Sequence, residues 1–211
     1  CKLVDSHLVR WAREVGNTDV DTFIIPSDCP RFQSGDAKGL VKASTRGDDL
    51  YIFVDPGNYS VTYQLFGYEN HLSPDDHFQN LMRLIQAVAG RAHRISVIMP
   101  SLYGGRQHRR VSRESLDCAF ALQQLRDVGV KNIITFDAHD PRVMNAVPTM
   151  SFDNVMPTYQ VLKCLLHHVP DVSFHKDNFM IVSPDEGAMN RNMYYSSVLG
   201  LSLIHISEPT R

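Results

Sequence analysis

Short apolar runs alternate along this chain with longer stretches whose apolar residues recur every three or four positions. Phe23-Ile24-Ile25, Leu50 to Val54, Ile95 to Met99, Ile133 to Phe136 and Phe179 to Val182 are predicted as buried strands. Between them, Ser73-Pro74-Asp75-Asp76 predicts a helix start: a capping serine, proline at the first helical position and acids in the first turn. The helix that follows would turn Phe78, Leu81, Met82, Ile85 and Val88 to one side. A second helix is predicted from near Ser112, with Cys118, Ala121, Leu122, Leu125 and Val128 inward and Gly129 as a left-handed C-terminal cap. A third runs from about Pro157 with Leu162, Leu165, Leu166 and Val169 inward, and a fourth follows Gly187 and stops at Gly200. Strand–helix alternation of this kind implies an α/β fold with right-handed crossovers and a mainly parallel sheet. The stretch Asp36 to Tyr51 differs and predicts an antiparallel hairpin or flap. Pro148, Asp153-Asn154 and Pro157 interrupt the pattern, which divides the chain into a domain at 1–150 and the start of another at 151–201.

Composition narrows the function classes without choosing one. Apolar residues make up 43% and charged residues 21%, ordinary for a globular protein, and the net charge of −2 speaks against a nucleic-acid or membrane-surface role. No apolar run approaches the roughly 20 residues that span a bilayer. Cys1, Cys29, Cys118 and Cys164 are far apart, with no C-x-x-C pair, and are expected to be reduced, partly buried thiols of a cytoplasmic protein. The chain opens on Cys1 rather than methionine, so its natural start is expected upstream. Residues 202–211, Ser202-Leu203-Ile204-His205-Ile206-Ser207-Glu208-Pro209-Thr210-Arg211, match the translation of a transposase sequencing adapter. They are expected to be foreign, with the natural sequence stopping near Gly200, although Ile204 and Ile206 alternate with polar residues as a strand would.

In a parallel sheet, ligands sit beyond the carboxyl ends of the strands. Three predicted ends carry useful groups: Ser101 to Arg110, with Arg106-Gln107-His108-Arg109-Arg110; Asp137-Ala138-His139-Asp140; and Ser183-Pro184-Asp185-Glu186-Gly187. Guanidinium donors, an imidazole and carboxylates together suit a phosphate with a divalent cation. No G-x-x-x-x-G-K-[ST] occurs and no G-x-G-x-x-G follows a strand, which excludes a P-loop and an ordinary dinucleotide site. Each motif has a plainer alternative. The arginines could be a solvated loop, His139 a structural histidine held by its flanking aspartates, Asp185 a helix cap, and Phe32 a core aromatic.

Their joint order is what resembles the ribose-phosphate diphosphokinase (phosphoribosyl pyrophosphate synthetase) family, in a divergent bacterial branch. Phe32-Gln33-Ser34-Gly35-Asp36 resembles the family's flap, and Tyr103-Gly104-Gly105-Arg106-Gln107-His108-Arg109 its Y-x-A-R-Q-D-[RK] loop, followed by Ser112-Arg113-Glu114. Ile134-Thr135-Phe136-Asp137-Ala138-His139 resembles I-T-x-D-L-H, and Phe152-Asp153-Asn154 the link into the second domain. Val182 to Arg191 resembles V-S-P-D-x-G-[GA]-x-x-R. The likeness runs over roughly residues 22–200.

The resemblance implies a phosphoribosyltransferase-like (Rossmann-like) domain followed by the start of a similar one. It also implies transfer of diphosphate from magnesium-bound ATP to ribose 5-phosphate, giving AMP and phosphoribosyl pyrophosphate. Arg106 and Gln107 would hold ATP, and Phe32, Ser34 and Asp36 would reach the adenine of a neighbouring subunit in a homo-oligomer, a hexamer of dimers in the family. His139 would serve catalysis with Arg106 and lie at the Mg2+–ATP site, and Asp185 would complete the metal and sugar side. His108, Gly105 and Asp36 depart from the family's usual aspartate, alanine and glutamate. The family's catalytic-lysine loop and its D-D-x-x-x-[ST]-G-x-[ST] ribose-phosphate loop do not occur in these residues, so the chain by itself is expected to be inactive. The alternative is a regulatory relative that keeps fold and oligomer without the chemistry.

Overall fold

Parallel pairing organises the larger of two compact units, Cys1–Val155 and Met156–Arg211. The computed structural model describes residues 1–169 and 172–205, with the side chain of 205 excepted. Strands β3 (Asp49–Phe53), β6 (Arg94–Ile98), β7 (Val130–Phe136) and β8 (Ser151–Val155) form one four-stranded sheet in that order, every pair parallel. Register places Ile52, Val97, Ile133 and Phe152 side by side across all four strands. That row is the floor of the core, because side chains two residues apart share a face and this face is covered by helices.

Helix α2 (Pro74–Val88) and helix α3 (Asp117–Asp127) do the covering. The predicted start of α2 is a full capping box: the Asp76 N–H donates to Ser73 Oγ at 3.1 Å, and the Ser73 N–H donates back to the Asp76 carboxylate at 3.0 Å. Its apolar stripe buries Phe78, Leu81, Ile85 and Val88, while α3 buries Cys118, Ala121, Leu122 and Leu125. Each leucine, isoleucine, valine or phenylalanine among them contributes about 1.5–3 kcal/mol by leaving water. The opposite face of the sheet is barer. Tyr51 and Phe53 on β3, Phe136 on β7 and Val155 on β8 are all exposed.

Several expectations shift. Phe23-Ile24-Ile25 is neither a strand nor buried: the segment is irregular, with Phe23 and Ile24 exposed, and the Phe23 N–H donates to Asp5 instead of to a ladder. An amphipathic helix not anticipated from the pattern, α1 (Lys2–Glu14), supplies that aspartate. Helix α3 begins at Asp117 rather than near Ser112, because side chains capture the intervening backbone. Gln107 Nε2 donates to the Ser115 carbonyl at 2.8 Å and Glu114 accepts from the Val111 N–H. The antiparallel hairpin lies earlier than Asp36–Tyr51, from β1 (Ser27–Asp28) to β2 (Leu40–Val41), with an Arg31–Ala37 bridge at its tip. A second hairpin, β4 (Thr62–Leu65) with β5 (Tyr68–His71), fills the link from β3 to α2. The compact units divide after Val155, among the interruptions from Pro148 to Pro157, since β8 is bonded along its length to β7. Cys118 is buried and Cys29 half-buried, but Cys1 and Cys164 are exposed, and all four are free.

In the second unit, α4 (Thr158–His168) and α5 (Glu186–Leu199) flank β9 (Ile181–Ser183) in sequence. Leu162 and Leu165 are half-buried, whereas Leu166 and Val169, expected inward, are exposed. Val182 is exposed too. Helix α5 stops at Gly200 as expected, and that glycine takes the left-handed conformation (φ 62°). Leu203–His205 then forms β10, parallel to β9, so the alternation in that segment does make a strand. Ile206 to Arg211, the rest of the segment expected to be foreign, lie outside the described residues, as do 170 and 171. No helix among the described residues is long and apolar enough to cross a membrane.

Candidate functional site

The carboxyl ends of the two central strands meet. Beyond β6, the chain turns through Tyr103, whose ring stacks on Phe78 at 4.4 Å and whose hydroxyl donates to Asp75 at 2.7 Å. That hydrogen bond, with burial second, pushes the phenol up to about 12. Gly104 follows at φ 66°, and a Cβ there would come 3.0 Å from the Cys118 nitrogen, so the turn packs against the start of α3. A Cβ at Gly105 would meet the Leu102 carbonyl oxygen at 3.0 Å, which suits glycine where alanine was the expectation. The turn presents Arg106 to solvent, with no ion pair among the described residues.

Beyond β7, the backbone makes an abrupt bend at Asp137, a non-glycine residue at φ 48°. The bend is held by the Asp137 N–H donating to the Val155 carbonyl and the Ala138 N–H donating to Asn154 Oδ1 at 2.9 Å. It leaves His139 exposed and turns Asp140 inward, its side chain 12% exposed. Asp140 caps a short 3-10 helix (Pro141–Ala146) by accepting from the Arg142 N–H, and the Arg142 guanidinium grips both its oxygens. That guanidinium holds the Asp140 carboxyl far below the usual carboxylate range.

His108 joins the two ends. Its Nε2 lies 3.5 Å from Asp140 Oδ2, its Nδ1 lies 3.2 Å from the Arg106 carbonyl, and its ring is tilted against that of His139 at 5.1 Å. The loop that carries Arg106 is thereby pinned to the bend that carries His139. Gln107 is turned to its own main chain through the Ser115 carbonyl and does not reach outward.

The other expected participants belong to other elements. Phe32, Ser34 and Asp36 form the tip of the β1–β2 hairpin. Phe32 is 52% exposed rather than in the core, Ser34 Oγ donates to Asp36 Oδ2 at 2.9 Å, and the Lys38 ammonium lies 5.7 Å from the Phe32 ring centre. Asp185, in the second unit, is the N-cap of α5 and accepts from the Ala188 N–H at 2.7 Å, the plainer of its two readings.

A magnesium ion tests this donor set and finds little. It takes oxygen ligands in near-octahedral array. The β7 end offers it an imidazole and a carboxylate already gripped by Arg142. Among the described residues no three histidine, cysteine or acidic side chains converge as a metal cluster. The β7 end makes no magnesium cage of its own.

The family model for the N-terminal domain of ribose phosphate pyrophosphokinase matches residues 9–129, more than half of the chain. The chain belongs to the ribose phosphate pyrophosphokinase family. Curated ribose-phosphate pyrophosphokinases are distant relatives: that of Staphylococcus aureus is 24% identical over 171 residues, covering 80% of this chain and 48% of the relative. That of Chlorobaculum tepidum is 24% identical over 179 residues, covering 84% and 49%. The chain thus spans about half the length of the curated relatives it matches. A crystal structure of phosphoribosylpyrophosphate synthetase from Mycobacterium smegmatis shares the fold, with TM-score 0.72 and 19% identity over 94% of this chain and 59% of that one. The α/β, phosphoribosyltransferase-like fold expected from the sequence is therefore the fold observed.

Within the pyrophosphokinase fold, Arg106 and His139 lie exposed on loops beyond strands, as the sequence suggested, but the contacts that align those loops were not foreseen. Asp140 meets the His108 ring and Asn154 accepts from the Ala138 N–H, contacts between residues far apart in sequence that no periodicity marks. The one available signal was His108 standing where the family's loop usually has aspartate. An aspartate at this point would face Asp140 across the same gap and repel it.

Proposed function

We propose that the whole protein of which this chain is part transfers diphosphate from Mg-ATP to ribose 5-phosphate, releasing AMP and phosphoribosyl pyrophosphate. The observation that carries the reading is the pinning of the exposed Arg106 loop to the His139 bend at adjoining strand ends through His108 and Asp140. In the proposed reaction the anomeric hydroxyl oxygen bonds to the β-phosphorus while the bond from that phosphorus to the α–β bridging oxygen breaks. Negative charge grows on the transferred group and the leaving AMP, and Arg106 is the cation assigned to meet it. His139 is assigned to an ATP oxygen, directly or through water, since a nitrogen suits magnesium poorly. Gln107 holds the loop's shape. Phe32, Ser34 and Asp36 are assigned to the adenine bound by a neighbouring subunit of a homo-oligomer, for which the exposure of Phe32 is support. Asp185 is assigned to the sugar side, with one carboxylate oxygen already in its cap.

The test is AMP release by the whole protein given Mg-ATP and ribose 5-phosphate, in step with phosphoribosyl pyrophosphate. The 211-residue chain, which holds neither the lysine loop nor the ribose-phosphate loop, should be silent in the same assay. A whole protein that folds and assembles yet releases no AMP is the regulatory relative instead.

A further inference from the structure

Arg31 sits directly before the flap residues and is built into the fold as few surface arginines are. Its side chain is 12% exposed. Nη2 donates to Asp76 Oδ1 at 2.8 Å, Nη1 donates to the Gly35 carbonyl at 2.9 Å, and the guanidinium carbon lies 4.4 Å from the centre of the Tyr63 ring. Three separate elements meet on that one group. Gly35 belongs to the flap turn, Tyr63 to β4, and Asp76 to the capping box that starts α2. The Asp76 oxygen not used by Arg31 accepts from both the N–H and the hydroxyl of Ser73, so the carboxylate cannot swing away without breaking the cap. Beneath the turn, a Cβ at Gly35 would lie 3.5 Å from Leu65 Cδ1, and Gly35 itself is at φ 92°, so the turn lies close over the second hairpin in a conformation that favours glycine.

We infer that Arg31 is a positioning residue for the nucleotide-binding flap: its forked guanidinium fixes the turn Phe32–Asp36 against β4 and the start of α2, and so sets where Phe32 and Asp36 point. The consequence for the nucleotide rests on the proposed function; the clamp itself does not. Within the turn only two backbone bonds, Phe32 N–H to the Asp36 carbonyl and Gly35 N–H to the Phe32 carbonyl, hold the shape. A short hairpin of that kind is marginal in water by itself. The outside grip at Gly35 makes up the difference. A lysine in place of Arg31 would keep a charge near Asp76 but could not also reach the Gly35 carbonyl and lie flat on Tyr63, because its ammonium is a point donor and not a planar fork.

Two measurements on Arg31→Ala and Arg31→Lys test this. In the 211-residue chain, hydrogen exchange should quicken by roughly tenfold or more at the Phe32 and Gly35 amides in Arg31→Ala, and by less in Arg31→Lys, while amides of β6 and β7 keep their rates. In the whole protein, both variants should raise KM for ATP, by about tenfold in Arg31→Ala, with kcat and the KM for ribose 5-phosphate within about twofold of the parent. Unchanged exchange at the flap, or a rise spread equally over the central strands, would overturn the clamp. So would a lysine variant indistinguishable from the parent, or a loss in kcat at constant KM. Quickened flap exchange in a whole protein that makes no AMP would leave the clamp standing and remove the proposed reaction.

Discussion

Two aspartates in this protein occupy the same local position with different surroundings. Asp140 and Asp185 each lie a few residues beyond a parallel strand, β7 and β9, and each caps the helical turn that follows. At Asp185 the cap is one hydrogen bond on an exposed side chain. At Asp140 a second strand end arrives alongside, bringing His108 within 3.5 Å, and Arg142 closes on both oxygens. The local chemistry of a cap is therefore no measure of a site. What distinguishes the β7 end is its neighbour in the sheet, for β6 and β7 deliver their loops side by side.

The comparison can be broken most directly at Arg106. Arg106→Ala in the whole protein should lower the rate of AMP release by about tenfold to a thousandfold, because a guanidinium gains most where charge develops in the transition state. A variant with full activity would strip the β7 end of its distinction. Next in size is the contrast of His139→Ala with Asp185→Ala in steady-state kinetics. The first should impair use of Mg-ATP while leaving the KM for ribose 5-phosphate nearly unchanged, and the second should act on the sugar side. A reversal of those effects would exchange the roles of the two strand ends.

Smaller still is the stability of the cap alone. Asp185→Ala should cost about 1 kcal/mol in denaturant unfolding, the usual worth of an N-cap, and Asp185→Asn much less, because the amide oxygen can still accept from the Ala188 N–H. Equal losses for both would mean that the charge and not the cap matters there. The smallest effect is expected from pH. The Asp140 carboxyl is held below its ordinary value in the folded protein, chiefly by its hydrogen bonds to Arg142. Its contribution to stability is thus complete above the unfolded carboxylate's pKa, near 4, and is lost as pH falls further toward the folded value. Since Arg142 is 79% exposed and screened by solvent, the loss should be slight, seen as a small part of the fall in Tm between about pH 4 and 2 that Arg142→Ala removes, the remainder belonging to other lowered carboxyls such as Asp49 and Asp76.

Much of this protein could be read from its residues in order. The capping box at Ser73, the apolar stripes of α2 and α3, the glycine stop at Gly200 and four of the five predicted strands depend on local periodicity and local backbone chemistry, which sequence carries directly. The exposed positions of Arg106 and His139 were legible because loops beyond parallel strands are where such a fold presents polar side chains. Phe23 to Ile25 misled because an apolar triplet looks alike whether or not a strand lies beside it to accept its backbone bonds, and here Asp5 takes one of them. The late start of α3 was hidden for a related reason. Gln107 and Glu114 bind backbone within ten residues of themselves, and that competition with a helix is decided by geometry. Only the tertiary structure could bring His108 to Asp140, 32 residues on, or set Arg31 on Tyr63 and Asp76. Those contacts depend on which strands lie side by side and how hairpins stack. Energies of that kind belong to pairs of distant residues, and no single stretch of sequence contains them.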